Sequence, residues 1–283
     1  MQDLESRRRR KERDLVKLAI VVCVVAVLAL TLCPPMQSPV RAQQTACATQ
    51  SGPNMPDLIV DQKLLASQMF LSTETFGSST CTVKENCVTS PGKHLLLRFN
   101  GSTANVGKAD LVIGSPASCG NLFVFDDCHQ HYHFQQFADY RVWTLDGYNT
   151  WVANRDLTIA ANTGINAQLI SMASSRGQLT TFRKQGFCIT DDTPYLSTAG
   201  PAAYQNCDAN QGLSVGWEDQ YPPQIPCQFV QLDNLADGVY VLEMHVNPEL
   251  LIPESDYTNN TGAVKFQFTA KHGNTGPTIQ VIP

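Results

Sequence analysis

The chain has 283 residues, 43% of them hydrophobic, with 20 Lys/Arg against 25 Asp/Glu for a formal net charge of −5. That is enough apolar material for one large domain or two small ones with a substantial core, and it excludes a disordered chain.

The first punctuation is the run Arg7-Arg8-Arg9-Arg10-Lys11, followed after Arg13 and Lys17 by the apolar stretch Leu18 to Cys33. Residues 1–14 read as a basic cytoplasmic N-terminus and 15–33 as an export segment, either a retained transmembrane anchor or a signal peptide. Counted from Leu15 the apolar stretch is about 19 residues long, near the ~20 that a helix needs to cross a bilayer. Val40-Arg41-Ala42 offers small residues for cleavage, and four consecutive arginines argue against a buried core helix. The chain after Cys33 is expected on the extracellular side, anchored by a single pass or secreted. Residues 34–46, with Pro34, Pro35 and Pro39, read as a linker, and 47–283 as the functional domain. Residues 1–17 hold seven Lys/Arg and four Asp/Glu, so thirteen basic and twenty-one acidic residues remain. That balance argues against a nucleic-acid partner and suits a cationic one.

Two of the ten cysteines, Cys23 and Cys33, fall in the apolar segment. The other eight, Cys47, Cys81, Cys87, Cys119, Cys128, Cys188, Cys207 and Cys227, suggest disulfides in an exported chain. None sits in the short-spaced pairs of a thiolate zinc site, and Cys81 to Cys87 looks like a small closed loop. The exported part reads as mainly β: a single β-sandwich-like domain with long loops and few short helices. Strands are expected at Asp57–Val60, His94–Phe99, Asp110–Ile113, Asp139–Leu145, Gln168–Met172 and Tyr240–Val246, bounded by Gly, Pro, Asn and Asp. In the last of these Tyr240, Leu242, Met244 and Val246 face one way, and Val241, Glu243 and His245 the other, so one face is packed and one is wet or paired.

Cys128-His129-Gln130-His131-Tyr132-His133 holds three of the six histidines at alternate positions. On an extended strand His129, His131 and His133 project to one side, within reach of a single ion. Imidazole suits copper, zinc or nickel rather than calcium or magnesium, and three histidines without a thiolate leave a coordination position open. The spacing does not separate copper from zinc, and the bland alternative is three polar residues on an exposed strand face.

The segment Cys128–His133 resembles the copper segment of lysyl oxidases, and the likeness runs along almost the whole exported part. Met55-Pro56-Asp57-Leu58 resembles that family's opening strand, and Cys81 to Cys87 followed by Leu96-Leu97-Arg98-Phe99 its next cysteine pair and strand. Val246-Asn247-Pro248 and Pro253-Glu254-Ser255-Asp256-Tyr257-Thr258-Asn259-Asn260 are near-identical to a long family motif. The resemblance implies a copper-dependent oxidase that converts primary amines, peptidyl lysine or small amines, to aldehydes with molecular oxygen, releasing ammonia and hydrogen peroxide. It also implies lysine tyrosylquinone, a cofactor made from the chain's own side chains. The family lysine stands four residues before a cysteine, as Lys184 does before Cys188. The family tyrosine lies between a Gly-Leu-Ser segment and a cysteine six positions on, as Tyr221 does between Gly212-Leu213-Ser214 and Cys227.

A quinone carbonyl takes up a primary amine, and loss of the α proton sends two electrons into the ring. The protein must supply copper, an amine pocket and a base. Asp219, two residues before Tyr221, and Asp139, on the strand after the histidines, are the candidate bases, and each also reads as a surface or turn aspartate.

The resemblance further implies a calcium site formed by Asp57, Leu58, Glu254, Asp256, Asn259 and Asn260, where carboxylates and amide oxygens suit a hard cation. An uncoordinated turn rich in Asp and Asn is the plain alternative. Asn100-Gly101-Ser102 and Asn259-Asn260-Thr261 are glycosylation sequons. The family pairing implies the bridges Cys81–Cys87 and Cys128–Cys207. Trp217 replaces a family cysteine, and the family's C-terminal cysteine pair is absent, so Cys47, Cys119, Cys188 and Cys227 must find other partners. Other readings are a calcium-binding extracellular β-sandwich adhesion or binding module, a copper carrier without turnover, and a zinc hydrolase.

Overall fold

Short runs of alternating side chains separated by turn residues fold as antiparallel pairs, and the computed structural model shows how those pairs assemble. It describes residues 47, 52–160 and 179–282; the side chains of 156–160 and 179–185 lie outside that description. The export segment, the linker up to residue 46 and the strand expected at Gln168–Met172 therefore lie outside the described residues. No helix among the described residues is long and apolar enough to cross a membrane.

The expectation of a mainly β domain with few helices holds. Among the described residues fifteen strands run in chain order. They are β1 (Leu58–Val60), β2 (Phe70–Phe76), β3 (Gly92–Arg98), β4 (Gly101–Asn105), β5 (Leu111–Gly114), β6 (Phe123–Asp126), β7 (His131–Thr144) and β8 (Leu179–Phe187). They continue as β9 (Thr193–Pro194), β10 (Gln211–Leu213), β11 (Trp217–Tyr221), β12 (Phe229–Gln231), β13 (Gly238–Val246), β14 (Thr261–Thr269) and β15 (Thr278–Val281). Among the described residues three helices join them: α1 (Gln62–Ser67), α2 (Cys81–Lys84) and α3 (Leu145–Ala160). The strands form four antiparallel sheets: β1-β4-β11-β9; β10-β5; β12-β3-β2; and β15-β14-β13-β7-β6, with β8 also paired to β7.

The main core lies where these sheets face one another. It gathers Leu58, Leu97, Phe99, Phe134, Phe137, Tyr140, Leu242, Met244 and Phe266, each at most 1% exposed. At roughly 1.5–3 kcal/mol for each large apolar side chain buried, this cluster dominates the favourable side of folding. Strand β13 splits its faces as its alternation predicts, but neither is wet. Tyr240, Leu242, Met244 and Val246 enter the core, while Val241, Glu243 and His245 are buried on the other face. There Trp151 of α3 stacks on Trp143 of β7, with centroids 5.0 Å apart. Glu243 accepts from the Trp143 and Trp151 indole N–H groups at 2.8 and 2.9 Å.

All eight cysteines outside the export segment are bridged, but the family-derived pairing is corrected. The bonds are Cys47–Cys119, Cys81–Cys128, Cys87–Cys227 and Cys188–Cys207. Cys81 opens α2, and that helical turn sends the two cysteines of the expected small loop to different partners. The Cα atoms of Cys81 and Cys128 are 5.7 Å apart and those of Cys188 and Cys207 5.3 Å, both suited to a bridge. Two bridges thus clamp α2, one to the β6–β7 turn and one to the loop before β12. Asn100 of the first sequon is buried, which withholds it from a glycan in the folded protein.

Candidate metal and redox site

The turn between β6 and β7 builds the imidazole cluster. Asp126 ends β6, and its Oδ1 accepts the N–H groups of Cys128 at 2.8 Å and His129 at 3.1 Å. Gln130 takes the left-handed conformation, with φ of 60°, and its N–H donates to the Asp126 carbonyl. The three histidines are therefore not alternate positions of one strand, as the spacing suggested. His131 and His133 are on β7, while His129 belongs to the turn that Asp126 holds.

The convergence stands despite that correction. The His131 and His133 Nε2 atoms are 3.0 Å apart, and His129 Nδ1 is 3.4 Å from His133 Nε2. One ligand atom from each ring lies within 4.8 Å of the others. His129 Nε2 is buried with no hydrogen-bond partner. Burial, opposed by Asp126, holds His133 down to about 4. Burial and then the neighbouring His129 also lower His131. Two imidazoles biased toward the neutral form, with the nitrogens of all three crowded together, are the donor set that a borderline metal ion requires. Asp126 Oδ2, 3.3 Å from His133 Nδ1, orients that ring from behind.

The cluster opens into a cavity of about 820 Å³, lined also by Glu85, Asp126, Gly186, Phe187, Asp192, Asp219, Tyr221 and Gln228. Among the described residues the lining holds four carboxylates and no Lys or Arg. Tyr221, at the end of β11, packs its ring 4.2 Å from that of Phe187. Opposite Tyr221 in the β4–β11 register stands Gly101, where a Cβ would overlap the Tyr140 hydroxyl. Gly186 lets β8 pass the histidine strand: a Cβ there would lie 2.6 Å from Gln135 Nε2. The Tyr221 hydroxyl is 2.9 Å from Asp219 Oδ2 and 2.7 Å from the Cys188 carbonyl. Loss of solvent, then Asp192, raises Asp219 well above the carboxylate range, and loss of solvent, then Asp219, raises the Tyr221 phenol.

Of the expected residues, His129, His131, His133, Tyr221 and Asp219 thus share one cavity. Lys184 is the backbone partner of Asp139 in the β7–β8 pair, and its side chain lies outside the described residues. Asp139 does not line the cavity; it pairs with Arg141 at 2.5 Å in the buried layer under α3. Sequence reading missed Glu85, Asp126 and Asp192. Asp126, two residues before Cys128, carried a turn signal; Glu85 joins only through the two bridges around α2.

The second expected site ties β1 to the segment before β14. Leu58 N–H donates to Glu254 Oε2 at 2.7 Å, and the Asn247 and Asn260 amides donate to Glu254 Oε1 at 2.6 and 2.8 Å. Asn259 Nδ2 donates to Asp57 at 2.9 Å. The amide oxygens of Asn259 and Asn260 are buried without a hydrogen-bond partner. Asp256, half-buried, instead accepts from Thr258 N–H at 2.8 Å.

Fold and site together define a disulfide-bridged antiparallel β domain in which a three-imidazole cluster and a partly buried tyrosine share one cavity. The lysyl oxidase family model matches residues 56–155 and 169–276, and the chain belongs to that family. Lysyl oxidase homolog 1 of Bos taurus is 26% identical over 236 residues, covering 80% of this chain and 34% of that protein. Protein-lysine 6-oxidase of Homo sapiens is 28% identical over 232 residues, covering 77% and 47%. That of Sus scrofa is 27% identical over 232 residues, covering 77% and 78%. The chain thus spans 34% of the bovine homolog and 47% of the human oxidase.

Proposed function

We propose that this chain is a copper-dependent amine oxidase of the lysyl oxidase type. It consumes oxygen and water to convert a primary amine to an aldehyde, ammonia and hydrogen peroxide. The observation that carries the reading is the meeting of His129, His131 and His133 in the same cavity as Tyr221. His129, His131 and His133 would hold copper, and Lys184 and Tyr221 would form the quinone; together these groups supply the two-electron chemistry. The chain's own residues do the rest. Glu85, Asp126 and Asp192 line a negative cavity that favours entry of an alkylammonium, whether a protein lysine or a small amine. Phe187 covers one face of the Tyr221 ring. Four disulfides suit an extracellular location, reached by an export segment at residues 15–33 that is cleaved or kept as an anchor.

The donor set before β14 supports a calcium ion as well. Asp57, the Leu58 carbonyl, Glu254, Asp256, Asn259 and Asn260 would hold it. Two buried, unpartnered amide oxygens beside carboxylates suit a hard cation, whose role there is structural.

The test is to load the full chain with copper in air, digest it, and seek a Lys184–Tyr221 crosslinked peptide by mass, alongside peroxide release from a primary amine. A crosslink with turnover is expected, and Lys184→Ala and Tyr221→Phe should each abolish both while copper stays bound. Bound copper with neither crosslink nor peroxide would leave a carrier or binding module instead.

A further inference from the structure

The proton count around Tyr221 is set by geometry. Its hydroxyl oxygen is 2.7 Å from the Cys188 carbonyl oxygen and 2.9 Å from Asp219 Oδ2. A phenol carries one hydrogen, and a carbonyl has none to give. Both short contacts are hydrogen bonds only if the carboxyl supplies the second hydrogen. Tyr221 then donates to Cys188, and the Asp219 carboxyl O–H donates to Tyr221. With Asp219 ionised, one of the two oxygens would face phenol lone pairs instead of a hydrogen, at a site where Asp219 is 1% exposed.

Asp192 is placed to enforce this. Its Oδ2 accepts the Gln220 N–H at 2.9 Å, and its own N–H donates to the Glu218 carbonyl at 3.1 Å. It is thus bonded to both chain neighbours of Asp219 and lines the same cavity. Two adjacent carboxyls, one buried and one exposed, do not both ionise readily, and the buried one keeps the proton. Asp192, Tyr221, Tyr140 and the Thr190 backbone are the groups that act on this pair.

We propose that Asp219 is a catalytic acid that holds a proton at the Tyr221 oxygen, and that Asp192 is the positioning residue that keeps it protonated. The catalytic half rests on Tyr221 being the precursor of the redox group; the protonation does not. When electrons enter the ring, the proton moves along the existing hydrogen bond from Asp219 Oδ2 to the ring oxygen. It returns when they leave, so one O–H bond breaks as another forms. A carboxyl that carries its proton is not free to take one from the substrate, so Asp219 is not the substrate's base.

The test is infrared spectroscopy of the full chain before copper loading, at neutral pH. The wild type minus Asp219→Asn difference should show the carbonyl band of an un-ionised carboxyl that moves in heavy water. Tyr221→Phe should keep the band but shift it, and Asp192→Asn should make it titrate away at lower pH than in wild type. A missing band, or one indifferent to Tyr221→Phe, overturns the proposal; if Asp219→Asn does not fold, the other two variants decide. After copper loading, Asp219→Asn should lower kcat by about a hundredfold with KM little changed. Asp192→Asn should move the alkaline limb of the kcat profile to lower pH. Unchanged kcat in Asp219→Asn removes the catalytic role. The band without any amine oxidation would instead sink the oxidase reading and leave the protonation standing.

Discussion

Asp126 serves His133 and the turn before it at once: Oδ2 lies 3.3 Å from His133 Nδ1, while Oδ1 accepts the N–H groups of Cys128 and His129. The carboxylate fixes which ring nitrogen of His133 faces the cluster and where His129 stands. Its removal should loosen two of the three imidazoles without deleting a ligand. Asp126→Ala is expected to weaken copper binding by about 10–100-fold, the usual cost of losing an orienting partner. Competition against a coloured copper chelator measures this, and an affinity equal to wild type would show that the turn holds without the carboxylate.

That residue also marks what the sequence could not disclose. Alternation alone set His129, His131 and His133 on one strand, and the correct cluster emerged for a partly wrong reason, because the Asp126 cap substitutes a turn for the first strand position. The core strands were legible since β13 alternates along its core face and β3 carries the continuous apolar run Leu95-Leu96-Leu97. Helix α3 was not. Gly147, Asn149, Thr150 and Val152 are poor helix formers, and its place is fixed by tertiary contacts of Trp151 and Arg155, one turn apart. Disulfide partners are likewise a property of the assembled fold: Cys87 and Cys227, separated by 140 positions, meet only once β12 has paired with β3.

Calcium should act on stability before it acts on turnover. Asp57 and Leu58 lie at the start of β1 and Glu254 to Asn260 just before β14, so one ion would bridge two segments about 200 residues apart in the chain. Adding calcium to the chelator-treated protein is expected to raise Tm, by about 2–4 °C per kcal/mol of binding energy. The shift should vanish in Asn260→Ala, whose unpartnered oxygen is removed. An equal shift in that variant would place the ion elsewhere.

The layer under α3 is a structural device. Glu243, fully buried, receives two indole N–H groups, with Arg141 at 3.4 Å and Arg155 at 3.5 Å, and the Arg141 guanidinium lies 4.8 Å from the Trp151 ring centroid. Glu243→Ala strands two buried indole N–H groups and takes a carboxylate from Arg155 and from Arg141, which keeps Asp139, and should cost about 3–5 kcal/mol. Glu243→Gln keeps an acceptor and should cost less. Denaturant unfolding with matched m-values checks the order; equal losses in both variants would mean that packing, not charge, carries the layer.

His94 and Asp233 give the fold a dependence on pH. His94 Nδ1 faces Asp233 at 2.5 Å and Nε2 faces the Ser90 carbonyl at 2.8 Å, so both ring nitrogens meet acceptors, as a protonated ring requires. The Asp233 contact, against the pull of burial, raises His94 above its ordinary 6.5. Burial works to raise Asp233, but donors from His94, the Leu95 N–H and Gln231 outweigh it and hold the carboxyl below 3.8. The histidine's contribution is therefore full below pH 6.5 and fades as pH rises through its folded value. The aspartate's is full above about pH 4 and fades as pH falls. With Asp233 27% exposed at its side chain, the pair should be worth about 1–2 kcal/mol. Asp233→Asn is expected to lose that amount between about pH 4.5 and 6.5 and progressively less above the His94 transition. Urea unfolding across this range measures the loss; a penalty that stays flat to pH 9 would mean that the Leu95 N–H, not the imidazolium, accounts for it.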